Sequence, residues 1–301
     1  MDLPKSGHES VLLDETIELL NLHPAATVVD CTLGRGGHSQ AILQRLGPEG
    51  LLLALDIDPR NLEFARSQLT SAGAKVRFFH ANFAEMEDVL SEAAIEKVDA
   101  ILADLGISTN QLFESEYGLS FAQPMPLDMR IDPRTRTTAA DLVGKLPEKQ
   151  LAEVLYKNAQ EHYSRRIARK IVEARRFSPI TTTDRLAELV RSAIPSRGGA
   201  PAKIDPATKT FMALRMEVNQ EVANLGRLLE QAPRHLKTGG RFAVISFHST
   251  EDRVVKQAFR SAEQAGHFKV ITKKPVSPSE EEMSHNPRSR SAKLRVGERT
   301  N

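Results

Sequence analysis

A single cysteine in 301 residues excludes a disulfide framework and a thiolate-bound metal cluster. No apolar run approaches the roughly 20 residues that a helix needs to cross a bilayer. The opening segment MDLPKSGHES has neither the basic nor the apolar region of a signal peptide, so the expected address is the cytoplasm. A dominant charge of one sign is missing as well. With 41 Lys and Arg against 39 Asp and Glu, the molecule as a whole is no generic polyanion binder. The remainder, 40% hydrophobic and 27% charged, is ordinary for a globular protein and excludes a disordered or low-complexity chain. Its length, about twice that of a common domain, predicts two domains or one domain carrying an insertion.

The charge is unevenly spread. Residues 161–210 hold eleven basic side chains against five acidic ones, and the tail from Ser284 adds Arg288, Arg290, Lys293, Arg295 and Arg299 against Glu298 alone. Residues 81–104 reverse this, with seven acids and one lysine. A basic stretch of this kind is either a solvated helix face or a phosphate-binding surface.

Four short apolar runs punctuate the first third, at 27–30, 51–55, 76–79 and 98–103. Helical patterns separate them, Ser39–Leu46 and Pro59–Leu69 among them. Strands alternating with helices predict a doubly wound parallel α/β sheet with right-handed crossovers. Beyond Leu105 the rhythm turns to Gly, Pro and helical segments near 138–160, 162–176 and 182–194, none with a strand partner. A Gly/Pro/Ser loop follows over Pro195–Pro206. A long amphipathic helix then starts near Ala207, with Phe211, Leu214, Val218, Val222, Leu225 and Leu229 facing the sheet. Gly239 and Gly240 read as its C-cap. Strand patterns resume at 242–247, 267–272 and 292–296. The expected organisation is a core of residues 1–105 and 207–301 interrupted by a helical insertion over 106–206.

Asp30-Cys31-Thr32-Leu33-Gly34-Arg35-Gly36-Gly37-His38 follows the first strand and opens a helix, a junction where glycines let a ligand approach the backbone. Dinucleotides and S-adenosylmethionine both use such a turn. The dinucleotide fingerprint would place glycine where Ser39 stands. Asp56, at the end of the second strand, can accept both ribose hydroxyls of either ligand, while Asp58 before Pro59 fits a helix N-cap better. As a metal pair the two lack a third ligand at suitable spacing. Two other functions stay open on these patterns, a nicotinamide-dependent dehydrogenase and a non-catalytic RNA-binding assembly factor.

A longer set of motifs is more specific. LGRGGHS, ALDIDP, HANFAEM, ADLGIS, YGLSFAQPMPLDMRID, DPATKTFMALRMEVN, SFHSTEDR and NPRSRSAKLRVGER together resemble the bacterial 16S ribosomal RNA cytosine-N4 methyltransferase family (RsmH/MraW) over nearly the whole chain. The resemblance implies a class I, Rossmann-like S-adenosylmethionine-dependent methyltransferase sheet with a helical insertion. It further implies methylation of the exocyclic amine of one cytidine in 16S ribosomal RNA or the small subunit. By the same resemblance Gly36, Gly37 and His38 hold the cofactor's methionine part, Asp56 its ribose and Phe83 its adenine, with Asp104 and Gln111 at the reacting end. Read from residue type alone, Phe83 follows strand three where an aromatic face can lie on adenine, with a core phenylalanine as the lesser alternative, His38 is open to a capping or packing role, and Gln111 to that of a loop surface residue.

The cytosine amine is a poor nucleophile, because its lone pair is delocalised into the ring. Catalysis must align it with the methyl sulfonium and accept its proton. Many amino-group methyltransferases carry an Asn/Asp/Ser-Pro-Pro-aromatic motif at strand four; here Asp104-Leu105-Gly106-Ile107-Ser108 supplies the carboxylate without the aromatic. Phe113, Tyr117, Phe121 and Phe247 are candidates for the surface that stacks on the base. Ser246, His248 and Asp252 do not form a hydrolase triad, having no nucleophile elbow; His248 and Glu251 are expected to shape the substrate cleft. Cys31 reads as a small buried hydrophobe. Arg165, Arg166, Arg169, Arg288, Arg290 and Arg295 are assigned as a group to RNA phosphates, around a target base that must leave its stack.

Overall fold

A computed structural model describes residues 9–71, 73–195 and 205–301. The predicted loop over Pro195–Pro206 therefore falls, for residues 196–204, outside the described residues, as do Arg197 and Lys203 of the basic stretch. Two compact units emerge, one from Met1–Ser108 with Val222–Asn301, the other Thr109–Glu221.

The first unit begins with α1 (Leu13–Leu20), β1 (Thr27–Asp30), α2 (Gly37–Leu43), β2 (Leu51–Asp56), α3 (Pro59–Gln68), β3 (Lys75–His80), α4 (Met86–Ala93) and β4 (Val98–Asp104). The second holds α5 (Thr109–Phe113), α6 (Ala139–Lys145), α7 (Glu148–Ala159), α8 (Ser164–Ala174), α9 (Thr183–Ala193) and α10 (Ala207–Val218). The chain then returns through α11 (Glu221–His235), β5 (Leu236–Ser246), α12 (Ser249–Gln264), β6 (Phe268–Val270), α13 (Glu280–His285) and β7 (Lys293–Arg299).

The strands form one seven-stranded sheet in the order β3-β2-β1-β4-β5-β7-β6. Pairs β1 to β5 run parallel, and β7 runs antiparallel to both β5 and β6. Successive side chains point to opposite faces of a strand, and both faces are covered. Val28, Leu52, Leu102 and Ile245 join one apolar cluster with Ile17 and Ile42. Val29, Leu53, Ile101 and Val244 join another with Leu90, Leu228 and Phe259. Burial on both sides explains why these strands read as continuous apolar runs. The strand order reverses beside β1, and in such sheets ligands bind beyond the carboxyl ends of the strands at this switch.

Three expectations are corrected. The helix predicted from Ala207 through Leu229 is two helices, broken at Asn219 and Gln220, with Gln220 in the left-handed region at φ +49°. The Asn219 side chain accepts from Ile131 N at 2.9 Å and donates to Met129 O at 2.8 Å, fixing the break. The apolar repeat continues across it, which is why the pattern reads as one element. α10 packs against α6, α7 and α9 and belongs with them to the unit Thr109–Glu221, which the sequence reading bounds at 106 and 206. Gly239 and Gly240 are no helix cap either. They lie in an irregularity of β5, where pairing jumps from Val98 with Leu236 to Ala100 with Arg241. A Cβ on Gly240 would sit 2.8 Å from Lys237 O. The segment 138–160, read as one stretch, splits at Pro147 into α6 and α7.

Candidate active site

Three neighbouring strands, β1, β2 and β4, each end on an aspartate: Asp30, Asp56 and Asp104. Asp30 is almost wholly buried, and burial raises its pKa despite the Ser39 hydroxyl on Oδ2 at 2.6 Å and the Thr32 amide on Oδ1 at 3.1 Å. Asp56 is also buried. Its Oδ2 accepts from Gly34 N at 2.7 Å and Asn61 Nδ2 at 3.2 Å, and its Oδ1 from Asp58 N at 2.8 Å. Burial nonetheless pushes it up to about 7. Asp58 caps α3, accepting from Arg60 N at 3.0 Å with Pro59 in the first turn, as the sequence predicts.

The glycine turn spans β1 and α2. Gly34 and Gly36 have φ of +54° and +84°, a region L side chains rarely adopt. Gly36 also lies against α3, where a Cβ would meet Leu69 Cδ2 at 3.1 Å. Immediately after Gly37, His38 is buried with Nε2 3.1 Å from Val11 O and Nδ1 3.6 Å from Asp104 Oδ2. Burial draws its pKa down, against the raising effects of Asp30 and the Val11 carbonyl.

Asp104 closes the arrangement from β4. Its backbone N donates to Thr32 Oγ1 at 2.6 Å, and its Oδ1 accepts from Gly106 N at 3.3 Å. Burial, with the charge of Glu251 adding to it, pushes the carboxyl up to about 7. The Phe247 ring lies against Gly106, leaving no space for a side chain: a Cβ there would be 2.9 Å from Cε2. Of the four aromatics nominated for stacking on a base, Phe247 alone belongs to the unit carrying the three aspartates. Phe113 is 43% exposed, Tyr117 is buried, and Phe121 packs on Phe211 with ring centroids 4.6 Å apart, all in the helical unit.

Glu251 and His248 form a capping box at the start of α12, Glu251 Oε2 accepting from Phe247 N at 2.9 Å. That helix is absent from the sequence reading, although its box and the Val255 and Phe259 spacing mark it. Ser246, His248 and Asp252 each turn to different partners: Lys293 O, Glu251, and the Arg295 guanidinium at 2.7 Å. No triad exists among them. Arg295 is itself buried in that ion pair, which corrects its placement among the RNA-contacting cations. Cys31 is buried, and burial together with Asp30 pushes its thiol well up, so it is a neutral packing residue.

Phe83 opens a single 3-10 turn (Phe83–Glu85), half-buried against the cluster under α4 and α11. Gln111 sits buried on α5 in the helical unit. Arg165, Arg166 and Arg169 are exposed on α8, Arg169 facing Glu148 at 3.7 Å. Arg288 and Arg290 are exposed before β7.

The donor set discriminates between ligands. Three strand-end carboxyls around one glycine turn, two of them buried and one half-buried, repel a pyrophosphate, whereas a sulfonium, an amino group and ribose hydroxyls supply the positive charge and donors that such groups lack. S-adenosylmethionine has all three. The sheet order with its antiparallel β7 and this strand-end cluster define a class I S-adenosylmethionine-dependent methyltransferase. The chain belongs to the MraW methylase family, whose sequence model matches residues 5–300. Proteins named ribosomal RNA small subunit methyltransferase H are its relatives. That of Solibacter usitatus is 47% identical over 96% of this chain and 98% of its own length. That of Desulfotalea psychrophila is 46% identical over 97% and 98%, and that of Acidobacterium capsulatum 44% over 99% and 100%. A solved rRNA methylase from Streptococcus thermophilus covers 95% of both chains at 10% identity and TM-score 0.44, too distant to add to the assignment.

Proposed function

We propose that this enzyme transfers the methyl group of S-adenosylmethionine to the exocyclic N4 of a cytidine in small-subunit (16S) ribosomal RNA. In this reading Gly36, Gly37 and His38 line the cofactor's methionine part, Asp56 its ribose and Phe83 its adenine. Asp104 and Gln111 attend the reacting end. The observation that carries it is Asp104, a half-buried carboxyl at the end of β4 with Phe247 packed beside it over Gly106. A carboxylate there accepts the amine proton, and the ring offers a face to the base. The cofactor supplies an electrophilic methyl group; the protein's own part is to align, desolvate and take the proton.

The helical unit, 106–206 in the sequence reading, is proposed to hold RNA. Support comes from the exposed Arg165, Arg166 and Arg169 on α8, with Arg288 and Arg290 from the tail. No helix among the described residues is long and apolar enough to cross a membrane, and a cytoplasmic address suits a ribosomal substrate. The test is methyl transfer from labelled donor to ribosomal RNA and to immature small subunits, followed by nucleoside mass spectrometry. N4-methylcytidine is the expected product; 5-methylcytidine, or no transfer to either substrate, would overturn the proposal.

A further inference from the structure

Resting on that reading, we propose that His38 acts through Asp104, its Nδ1 forming the second seat of the proton taken from the substrate amine, so that the two side chains work as one base. His38 is then a positioning residue for the carboxylate in addition to lining the cofactor's methionine part.

The tautomer is set by geometry. Nε2 lies 3.1 Å from Val11 O, and a carbonyl oxygen only accepts, so Nε2 carries the hydrogen. Neutral imidazole then presents a bare lone pair at Nδ1, which faces Asp104 Oδ2 at 3.6 Å. A lone pair opposite a carboxylate oxygen is unfavourable unless one proton lies between them. The pair is therefore built to bind one proton, and the separation is of the kind that tightens once the site is filled. Other contacts fix the remaining freedom. Gly106 N holds Asp104 Oδ1, Thr32 Oγ1 holds the Asp104 backbone, and His38 is buried beside the half-buried Asp104.

The surrounding charges favour proton uptake by the pair. Asp30 faces it from β1, with its oxygens engaged by Ser39 and Thr32. Glu251 faces Asp104 from α12, its Oε2 held by the amides of Phe247 and His248, and His248 lies against Glu251 on the same turn. In the reaction the amine nitrogen forms its bond to the methyl carbon while the carbon–sulfur bond breaks with its electron pair going to sulfur. One N–H bond then breaks, its electrons staying on nitrogen, and the proton passes to Asp104 Oδ2, hydrogen-bonded to Nδ1 of His38.

Two measurements test this. The first needs neither RNA nor cofactor, so an error in the proposed substrate leaves it intact. In protein labelled with 15N-histidine, His38 should show the Nε2–H tautomer, and its Nδ1 signal should move as the pair takes up a proton. Asp104→Asn should abolish or displace that transition. An Nδ1–H tautomer, or a titration indifferent to Asp104→Asn, would overturn the proposal. The second uses His38→Gln, whose amide can still reach Val11 O but offers no nitrogen at the δ position. The expected result, at saturating cofactor, is a kcat lower by at least about tenfold and an acid limb of kcat moved to lower pH, because protonated Asp104 has lost its acceptor. A loss confined to cofactor Kd or KM, with kcat at saturation and its acid limb unmoved, would overturn the proposal.

Discussion

Ser39 donates its hydroxyl to Asp30 Oδ2 at 2.6 Å, tying the first turn of α2 to the end of β1. The residue that spoils the dinucleotide fingerprint is thus the one that quiets a buried carboxylate beneath the glycine turn. A glycine at 39 would leave Asp30 Oδ2 without that donor, and a buried acceptor left unpaired costs about 1–3 kcal/mol.

Asp56→Ala should weaken S-adenosylmethionine binding by at least about tenfold, since a hydrogen bond to a charged group contributes about 1.5–3 kcal/mol. Part of the loss is indirect, because the carboxylate also holds Gly34 N and Asp58 N and so shapes the glycine turn. Titration calorimetry on folded variant checks this; unchanged affinity would remove Asp56 from the site.

Cofactor affinity should rise with pH through neutrality. Asp56 and Asp104 sit at about 7, above the ordinary 3.8, and a cationic ligand favours their charged forms, so binding expels protons. Below about pH 7 the affinity should fall by up to about tenfold per unit for each proton expelled. The same shifts give a sign for stability. A carboxyl raised in the folded state burdens the cofactor-free protein increasingly between about pH 4 and 7, and fully above. His38, drawn down, acts oppositely below its unfolded value, one group against three acids. Melting temperatures of the cofactor-free protein should therefore decline from about pH 5.5 to about 8, and saturating cofactor should flatten the decline. Affinity constant over that range would contradict the burial argument.

Replacing Arg165, Arg166 and Arg169 together by Glu should weaken RNA binding and flatten its dependence on salt, each lost phosphate contact lowering the logarithmic slope by about one. Cofactor affinity should not change. Arg295→Ala is the contrasting variant. It takes from Asp252 the buried partner at 2.7 Å and leaves it only Lys293 Nζ at 3.4 Å, and should cost about 1–3 kcal/mol of stability. A salt slope unaltered by the triple reversal would make the α8 face a solvated surface only.

Cys31→Ser should keep substantial activity and Asp104→Ala should lose most of it. Transfer to ring carbon 5 needs a thiolate that adds to the ring, and the only thiol lies buried in the sheet with its pKa pushed up. Abolished turnover in a folded, cofactor-binding Cys31→Ser protein, or capture of a covalent RNA adduct, would reverse the assignment.

The legible parts of this molecule are those encoded over a few residues. Strands β1 to β4, the glycine turn, the Asp58 cap and the position of Asp56 all follow from local pattern and turn chemistry. Asp30 escapes notice because a strand-terminal aspartate reads as simple punctuation; only the fold shows it buried beside His38 and Ser39. The start of α12 is obscured because histidine is an uncommon cap, although Glu251 completes the box. The break at Gln220 is invisible since its cause is Asn219 reaching Ile131 and Met129, about 90 residues away in sequence. Contacts that distant leave no periodic trace.

Placing the helical unit between β4 and β5 also sets the order in which the chain can fold. Ala100 must find Arg241, and β5 joins the sheet only after everything between them has been made. Closing so long a loop costs chain entropy that grows with its length, and a chain collapsed in the middle presents a much shorter one, a saving of about 2 kcal/mol for a sevenfold shortening. On a ribosome the four strands β3-β2-β1-β4 emerge first with the edge of β4 unpaired, and an open edge invites foreign strands. Prompt collapse of the helical unit would bring the two sides of the sheet within reach, so the inserted helices would act as a clamp on assembly of the sheet.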